Sequence, residues 1–459
     1  MKPEAPRPPL GATPEAAPRL VRQGTAADRA EPHPLYCVWE ITLACDLGCK
    51  HCGSRAGPQR EGELTTAQCL DVVDQLADLG FREVTLIGGE AYLREDWDQI
   101  AAAIRRKGML CGITTGARNL DAERVARAVD AGVSNISVSI DGLERTHDAQ
   151  RGAPGSWRAA VEASRRIAAT PIRLSTNTQV NRLSLPELCG LADLLVELGS
   201  RAWQVQLTVP MGRGADRPDL PLQPYELLEF FPLLDWLKTT RLDPAGVTLF
   251  PGNNVGYFGP YEARLRYGGA QGAHWSGCGA GKWCIGLEAD GAIKACPSLP
   301  TDDWTGGRLP EARLGPTLRE APELTHLKNR TVDDLWGFCR DCYYADVCKA
   351  GCTWTSQCIL GKPGNNPYCI HRAMDFERRG LRERLTHAAP APGRPFDHGR
   401  FTLSVEDLPA AEGPLTIGGR ALEDVAAVKW DAGGVWTEDE LRHVLRRIGR
   451  REPVVTIEG

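Results

Sequence analysis

An α/β fold built on a parallel sheet is the class this chain predicts, on three observations. Between residues 34 and 250, six strand-like runs alternate with helical patterns. Each interval between strands holds enough residues for a helical crossover, which parallel pairing demands. A knot of thiols follows the first strand directly, at the sheet end where parallel folds place their sites. Six βα repeats build either a doubly wound sheet or an incomplete barrel, and periodicity alone does not choose between them.

Residues 1–33 carry many prolines and little apolar periodicity, which predicts a disordered lead. Strands are expected at Tyr36–Leu43, Glu83–Ile87, Leu110–Thr114, Asn135–Ile140, Arg173–Val180 and Trp203–Val209. Helices are expected at Thr66–Leu79, Trp97–Arg106, Ala122–Ala131, Trp157–Ala168, Leu185–Leu198 and Tyr225–Thr239. The first of these is well punctuated. Thr65 and Gln68 suit a capping box, Leu70, Val73 and Leu76 share a face, and Gly80 supplies the stop. Residues 251–387 differ in kind: cysteines become dense, Gly, Pro and Trp are frequent, and no long amphipathic pattern survives. Such a segment buries too little apolar surface to fold without cross-links, and metal clusters would supply them. From 388 to 459 a Pro/Ala linker (Ala388 to Pro395) leads into a small α+β extension. Its strands are expected at Arg400–Val405, Val425–Trp430 and Pro453–Ile457, and its helix at Thr437–Ile448. That tail receives no chemistry; it reads as a structural appendage or a docking element.

The chain has 459 residues, 42% apolar and 25% charged, enough for two or three ordinary globular domains. A formal net charge of −5 gives no footprint for nucleic acid and no attraction to an anionic membrane. No run of about 18 apolar residues exists, so no bilayer span is expected. Sixteen cysteines without a secretory h-region point to a reducing, cytoplasmic setting, where thiols serve metals or redox chemistry.

The thiol knot reads Cys45-x3-Cys49-x2-Cys52. Thiolates packed this closely are poor disulfide partners but good ligands for soft metal. Three ligands leave one position of a four-iron cluster open, although a zinc site fits three thiols as well. The second strand ends in Gly88-Gly89-Glu90, where glycines permit close backbone approach and an acid accepts from an ammonium group. The fourth strand places Ser137, Ser139 and Asp141 on one face, a row suited to sugar hydroxyls. His147-Asp148-x-x-Arg151-Gly152 follows it, and the sixth strand runs into Met211-Gly212-Arg213. The third region carries Cys278, Cys284, Cys296, Cys339, Cys342, Cys348, Cys352 and Cys369, eight thiols that suit two fully ligated cubanes or two zinc sites. Cys37, Cys69, Cys111 and Cys189 read as core residues. Cys358 and Glu40 are the candidates for a catalytic group; a carboxylate inside a barrel is costly unless an arginine or ligand meets it.

The thiol knot and the motifs after it resemble the radical S-adenosylmethionine (SAM) superfamily, and the third region resembles its SPASM extension, which holds auxiliary clusters. The resemblance covers about 35 to 385 and implies a partial (β/α)6 TIM-like barrel followed by a cysteine-rich SPASM domain. It implies three 4Fe-4S clusters and SAM as cofactors. Cys45, Cys49 and Cys52 would hold the cluster that binds SAM, with His51 against the adenine and Gly88, Gly89 and Glu90 at the methionine. Ser139 or Asp141 would touch the ribose and Arg151 the carboxylate. Cys278, Cys284, Cys296 and Cys352 would hold the first auxiliary cluster, and Cys339, Cys342, Cys348 and Cys369 the second. The chemistry implied is reductive cleavage of SAM to a 5′-deoxyadenosyl radical that takes hydrogen from a substrate. SPASM proteins commonly modify ribosomally made peptides by crosslink, thioether formation, epimerisation or oxidation. The implied partners are a precursor peptide, a separate peptide-recognition protein and a reductant such as flavodoxin or ferredoxin. Sulfatase-maturing relatives carry an aspartate after the third auxiliary cysteine; Pro297 stands here, which argues against that route. A small metabolite or cofactor precursor as substrate, and a non-catalytic metal module, are the other readings.

Overall fold

Every strand of the first half keeps one face for helices and one for the interior, because side chains alternate along extended backbone. In the computed structural model, residues 33–267, 274–275, 277–409, 416–417 and 420–421 are described. The strands are β1 (Tyr36–Glu40), β2 (Glu83–Ile87), β3 (Leu110–Thr115), β4 (Asn135–Ser139), β5 (Arg173–Val180), β6 (Ala202–Leu207) and β7 (Thr248–Pro251). They pair in parallel and in sequence order. Cys37, Trp39, Ile41, Val84, Leu86, Ile113, Ile136, Val138, Leu174, Trp203 and Val205 face outward and are buried in one large core. A buried indole such as Trp39 or Trp203 removes roughly 150–250 Å² from water, about 4–6 kcal/mol each. The inner face is polar instead, with Thr114, Ser137, Ser175, Asn177, Gln179, Gln204 and Gln206 half-buried.

The covering helices are α1 (Thr66–Asp78), α2 (Trp97–Arg106), α3 (Ala122–Asp130), α4 (Glu144–Arg151), α5 (Ser156–Ala168), α6 (Leu188–Glu197) and α7 (Leu227–Leu237). The capping box of α1 forms: Thr65 N–H donates to Gln68 Oε1 at 2.8 Å, and Gln68 N–H to Thr65 Oγ1 at 3.4 Å. Its buried face is Cys69, Val72, Val73 and Leu76, rotated slightly from the stripe the sequence suggests. Helix α7 is buried all round, as its run of Leu, Phe and Trp requires.

The third region does not stand apart from the barrel. Strand β8 (Cys284–Leu287) pairs in parallel with β1, and β9 (Ala292–Lys294) and β10 (Thr305–Arg308) extend the edge antiparallel. The sheet is therefore ten-stranded, in the order β10-β9-β8-β1-β2-β3-β4-β5-β6-β7. Strands of three and four residues are too short to show a period, which is why the sequence boundary at 250/251 overlooks them. A buried ionic latch locks this seam. Arg60 donates to Glu40 at 3.0 Å and Glu288 at 2.7 Å, and Lys294, fully buried, meets Glu288 at 2.5 Å.

Two further sequence expectations change. Residues from Ala388 are not simply linker: β11 (Leu381–Ala389) pairs antiparallel with β12 (Arg400–Asp407), so the 387/388 boundary cuts a strand. Arg382 and Arg384 within β11 pair with Glu406 and lie over the Tyr225 ring, and this charged alternation hides the strand. The lead through residue 32, and the elements expected at Val425–Trp430, Thr437–Ile448 and Pro453–Ile457, lie outside the described residues. No helix among the described residues is long and apolar enough to cross a membrane.

Burial pushes the Glu40 carboxyl up to about 7 despite Arg60, and its Oε2 is buried without a hydrogen bond. A carboxyl whose folded value lies above its unfolded one loses stability as pH rises between the two. Glu40→Gln should therefore match wild type in urea unfolding near pH 5 and exceed it at pH 8.

Candidate cofactor and cluster sites

The loop carrying Cys45, Cys49 and Cys52 leaves β1 at the sheet's C-terminal end and folds over the end of β2. Gly89 N–H donates to Thr42 O at 2.9 Å and Glu90 N–H to Ala44 O at 2.8 Å. A Cβ at Gly89 would lie 2.1 Å from Ala44 O, so this glycine is required by the cysteine loop's own backbone. Cys45 and Cys52 pack around the buried Leu47, Cys49 and Ala153. Each sulfur faces an N–H: Leu47 to Cys45 at 3.4 Å, Ala56 to Cys52 at 3.4 Å, and the Arg151 guanidinium to Cys49 at 3.7 Å. Burial pushes the Cys45 thiol up to about 12, with Glu90, Cys49 and Cys52 adding to it. The three thiols thus repel one another's charge, and a cationic group bound among them relieves that repulsion.

The loop is held from the far side of the barrel. Arg213, just past β6, donates to Cys49 O at 2.7 Å and Ala56 O at 2.9 Å. Gly212 sits at φ +56°, where a Cβ would lie 2.3 Å from Cys52 O. The strap between β11 and β12 closes over both: Phe396 N–H donates to Gly53 O, Asp397 O accepts from Gly212 N–H, and Arg55 binds the Asp397 carboxylate at 2.8 Å.

Beside the loop lies a buried polar cluster. Asp141, directly after β4, is fully buried; its Oδ2 meets Arg151 at 2.6 Å and His51 at 3.2 Å. Burial alone would raise this carboxyl, but Arg151 and His51 outweigh it and hold it well below the usual range. Helix α4 makes this possible. It places His147 and Arg151 one turn apart on one face, and His147 Nδ1 accepts from Asp141 N–H at 3.1 Å. Burial, then Arg151, drives His147 down to about 3, so the ring is neutral. Glu90 accepts from Thr115 Oγ1 and, at 2.6 Å, from Gly116 N–H; burial pushes it up to about 8. Ser139 Oγ donates to Asn177 Oδ1 at 3.0 Å. His51, Glu90, Ser139, Asp141 and Arg151 all therefore lie around the cysteine loop or the strand ends beside it.

In the third region Cys339, Cys342, Cys348 and Cys369 line one small cavity together with Tyr257, Phe258 and Tyr344. Tyr344 N–H faces Cys342 Sγ and Asn366 N–H faces Cys339 Sγ, each at 3.4 Å. The neighbour of Cys352 is different: burial pushes its thiol up to about 12, and the nearest charges adding to it are Cys278 and Cys296. Cys284 lies at the start of β8, in the same strand–turn unit as Cys278 and Cys296. All sixteen cysteines are free. Among the described residues one group of three metal-type donor atoms lies within 4.8 Å of one another, Cys45, Asp46 and Glu90. Neither set of four is thus gathered at the roughly 3.8 Å thiolate spacing of tetrahedral zinc. The disulfide-free thiols and the N–H donors facing their sulfurs fit iron–sulfur clusters.

Comparison with known proteins agrees with this geometry. The profile of the Radical SAM superfamily matches residues 39–180, from β1 through β5. Residues 39–180 carry a radical SAM superfamily domain. Mycofactocin maturase MftC of Mycobacterium ulcerans is 29% identical over 383 residues, covering 81% of this chain and 98% of the relative. AdoMet-dependent heme synthase of Methanosarcina barkeri is 29% identical over 350 residues, covering 74% and 97%. Among solved structures, Streptococcus suis SuiB bound to precursor peptide SuiA superposes with a TM-score of 0.59 at 17% identity, covering 74% of this chain and 76% of that one. anSMEcpe with bound AdoMet gives 0.59 at 16% identity, covering 75% and 96%. These likenesses show that the radical SAM fold extends into the cysteine-rich region.

The two candidates for a catalytic group have other surroundings. Glu40 is engaged by Arg60 and by Ala289 N–H, at the seam between barrel and third region. Cys358 is fully buried among Val209, Met211 and Phe396, and burial raises its thiol far above the ordinary value. Sequence reasoning missed Arg55 and the Asp397 strap and gave Arg213 no part in holding the loop; these contacts span 157 to 342 residues and leave no local pattern.

Removing Arg151 leaves Asp141 buried and uncompensated, so Arg151→Ala should cost about 3–5 kcal/mol in urea unfolding. Gly89→Ala should instead displace the cysteine loop, read as iron lost from the first cysteine set.

Proposed function

We propose that this chain is a radical SAM oxidoreductase that modifies a ribosomally synthesised peptide. Cys45, Cys49 and Cys52 hold the cluster that binds SAM; Cys278, Cys284, Cys296 and Cys352 hold a second, and Cys339, Cys342, Cys348 and Cys369 a third. The observation that carries the reading is three thiol sets, buried or half-buried and free of disulfides, on a chain whose first half carries a radical SAM domain. The peptide class is supported by MftC, a mycofactocin maturase, and by the fold shared with SuiB, solved with its precursor peptide. The 29% identity to AdoMet-dependent heme synthase favours a second reading, a tetrapyrrole or other cofactor precursor.

A reduced iron–sulfur cluster with SAM supplies one-electron cleavage of a carbon–sulfur bond and hence a radical able to take an unactivated hydrogen. The chain's own residues bind, orient and exclude water. Glu90, kept uncharged by burial, becomes the carboxylate partner of an ammonium group delivered beside Cys45. Arg151, held by Asp141, presents its guanidinium to Cys49 and to a carboxylate. His51 offers a flat ring whose Nε2 is fixed by Asp141, and Ser139 presents a hydroxyl on the same strand. The aromatic roof of Tyr257, Phe258 and Tyr344 keeps water from the third cysteine set. Sixteen thiols, most of them needed free, suit a reducing cytoplasm. A flavodoxin or ferredoxin supplies electrons, and a separate recognition protein presents the peptide.

Anaerobic reconstitution should yield about twelve irons per chain, and Cys339→Ser with Cys342→Ser about eight. Under dithionite the protein should release 5′-deoxyadenosine, and a peptide encoded beside its gene should lose about two hydrogens on crosslinking. A colourless, iron-free protein, or SAM left intact, overturns the reading.

A further inference from the structure

The inner face of the sheet carries an ordered run of neutral amides. In register across β4, β5, β6 and β7, Ser139 faces Asn177, Asn177 faces Gln204, and Gln204 faces Phe250; one step on, Gln179 faces Gln206. Asn177 is already engaged, accepting from Ser139 and donating to Ser137 at 3.2 Å. Gln179 and Gln206 are engaged only with each other, Gln179 Nε2 donating to Gln206 Oε1 at 3.0 Å. Among the described residues no other side-chain hydrogen bond reaches this pair. One amide carbonyl, Gln179 Oε1, and one amide nitrogen, Gln206 Nε2, remain to be satisfied on a half-buried surface.

We propose that Gln179 and Gln206 grip one backbone peptide group of the substrate, on a face that admits an uncharged stretch of chain. The inference rests on the peptide reading above and names what that site selects. A peptide group offers one N–H and one C=O, which is the complement of what the glutamine pair leaves open. The face suits no ion. Along β3 to β6 its one charged side chain among the described residues is Arg173, exposed at the far end. The nearest charge at the working end is Asp141, whose Oδ1 accepts from Gln179 N–H at 2.8 Å. A carboxylate delivered there meets the acceptor Gln179 Oε1 beside Asp141, whose partner Arg151 is already paired and assigned above to another carboxylate, a costly burial. That counts against a substrate bearing propionate-type carboxylates at this position. Three strands about 4.8 Å apart span roughly 10 Å, which covers about three extended residues at 3.3 Å each. Because Gln179 hangs on Asp141, the gripped group lies next to the cluster of His51, Asp141 and Arg151.

The test is a selection of random, end-capped decapeptides on the immobilised, cluster-loaded protein kept anaerobic with SAM. Recovered peptides should be depleted of Asp, Glu, Lys and Arg over about three consecutive positions. Methylating the backbone nitrogens of one recovered peptide in turn should weaken wild-type binding about tenfold at one position. That methylation should change little in Gln179→Leu/Gln206→Leu, whose affinity is already reduced. Should the double variant misfold, judged by lost iron, Gln206→Glu replaces it: the added carboxylate should enrich lysine at the same positions. Recovered peptides charged throughout, a flat methylation scan, or unmoved preferences in Gln206→Glu overturn the amide grip and leave the peptide reading standing. Recovery of no peptide, together with binding of an iron porphyrin dicarboxylate, overturns both.

Discussion

A buried carboxylate is the constraint on which the SAM-facing end of this molecule depends. Asp141 has no exposure to water, so its charge must be balanced inside the protein. It is balanced from two directions, by Arg151 on α4 and by His51 within the cysteine loop, while its second oxygen takes an N–H from β5. One side chain therefore fixes a strand end, a helix, the thiol loop and the neighbouring strand relative to one another. Arg151 in turn reaches Cys49, so the balance of charge extends to the first thiol set.

The second organising feature is continuity. Strand β8 adds to β1, so the cysteine-rich region grows out of the barrel sheet, with the Arg60–Glu288–Lys294 latch across the seam. Both faces of the working site are thereby set by one sheet. The three cysteine sets belong to a single framework, which suits electron movement between clusters better than hinged domains would.

Much of this was legible in sequence because it is local. The six strands and their crossovers follow from alternation, the α1 cap from Thr65 and Gln68, and the thiol sets from spacing. What was not legible falls into two kinds. Helix α4 has one apolar residue, Ala149, among eight, so no hydrophobic stripe announces it; its reason for being helical is the pairing of His147 and Arg151 with Asp141. The pairing of β8 with β1 and the clamps by Arg55 and Arg213 are decided by partners more than 150 residues away, and pairing at that range leaves no period. Gly89 was read as letting the backbone approach a ligand, whereas the neighbour it admits here is the backbone at Ala44.

The strap at Phe396 and Asp397 has a consequence for how the molecule comes into being. A ribosome delivers Cys45 to Cys52 early, yet Arg55 and Gly53 receive their fastening from residues made some 340 positions later. Until synthesis has passed Asp397, the nascent thiol loop lacks its outer tie. The fastening of the N-terminal thiol loop is thereby coupled to completion of the C-terminal hairpin, and prematurely terminated chains carry an unfastened loop.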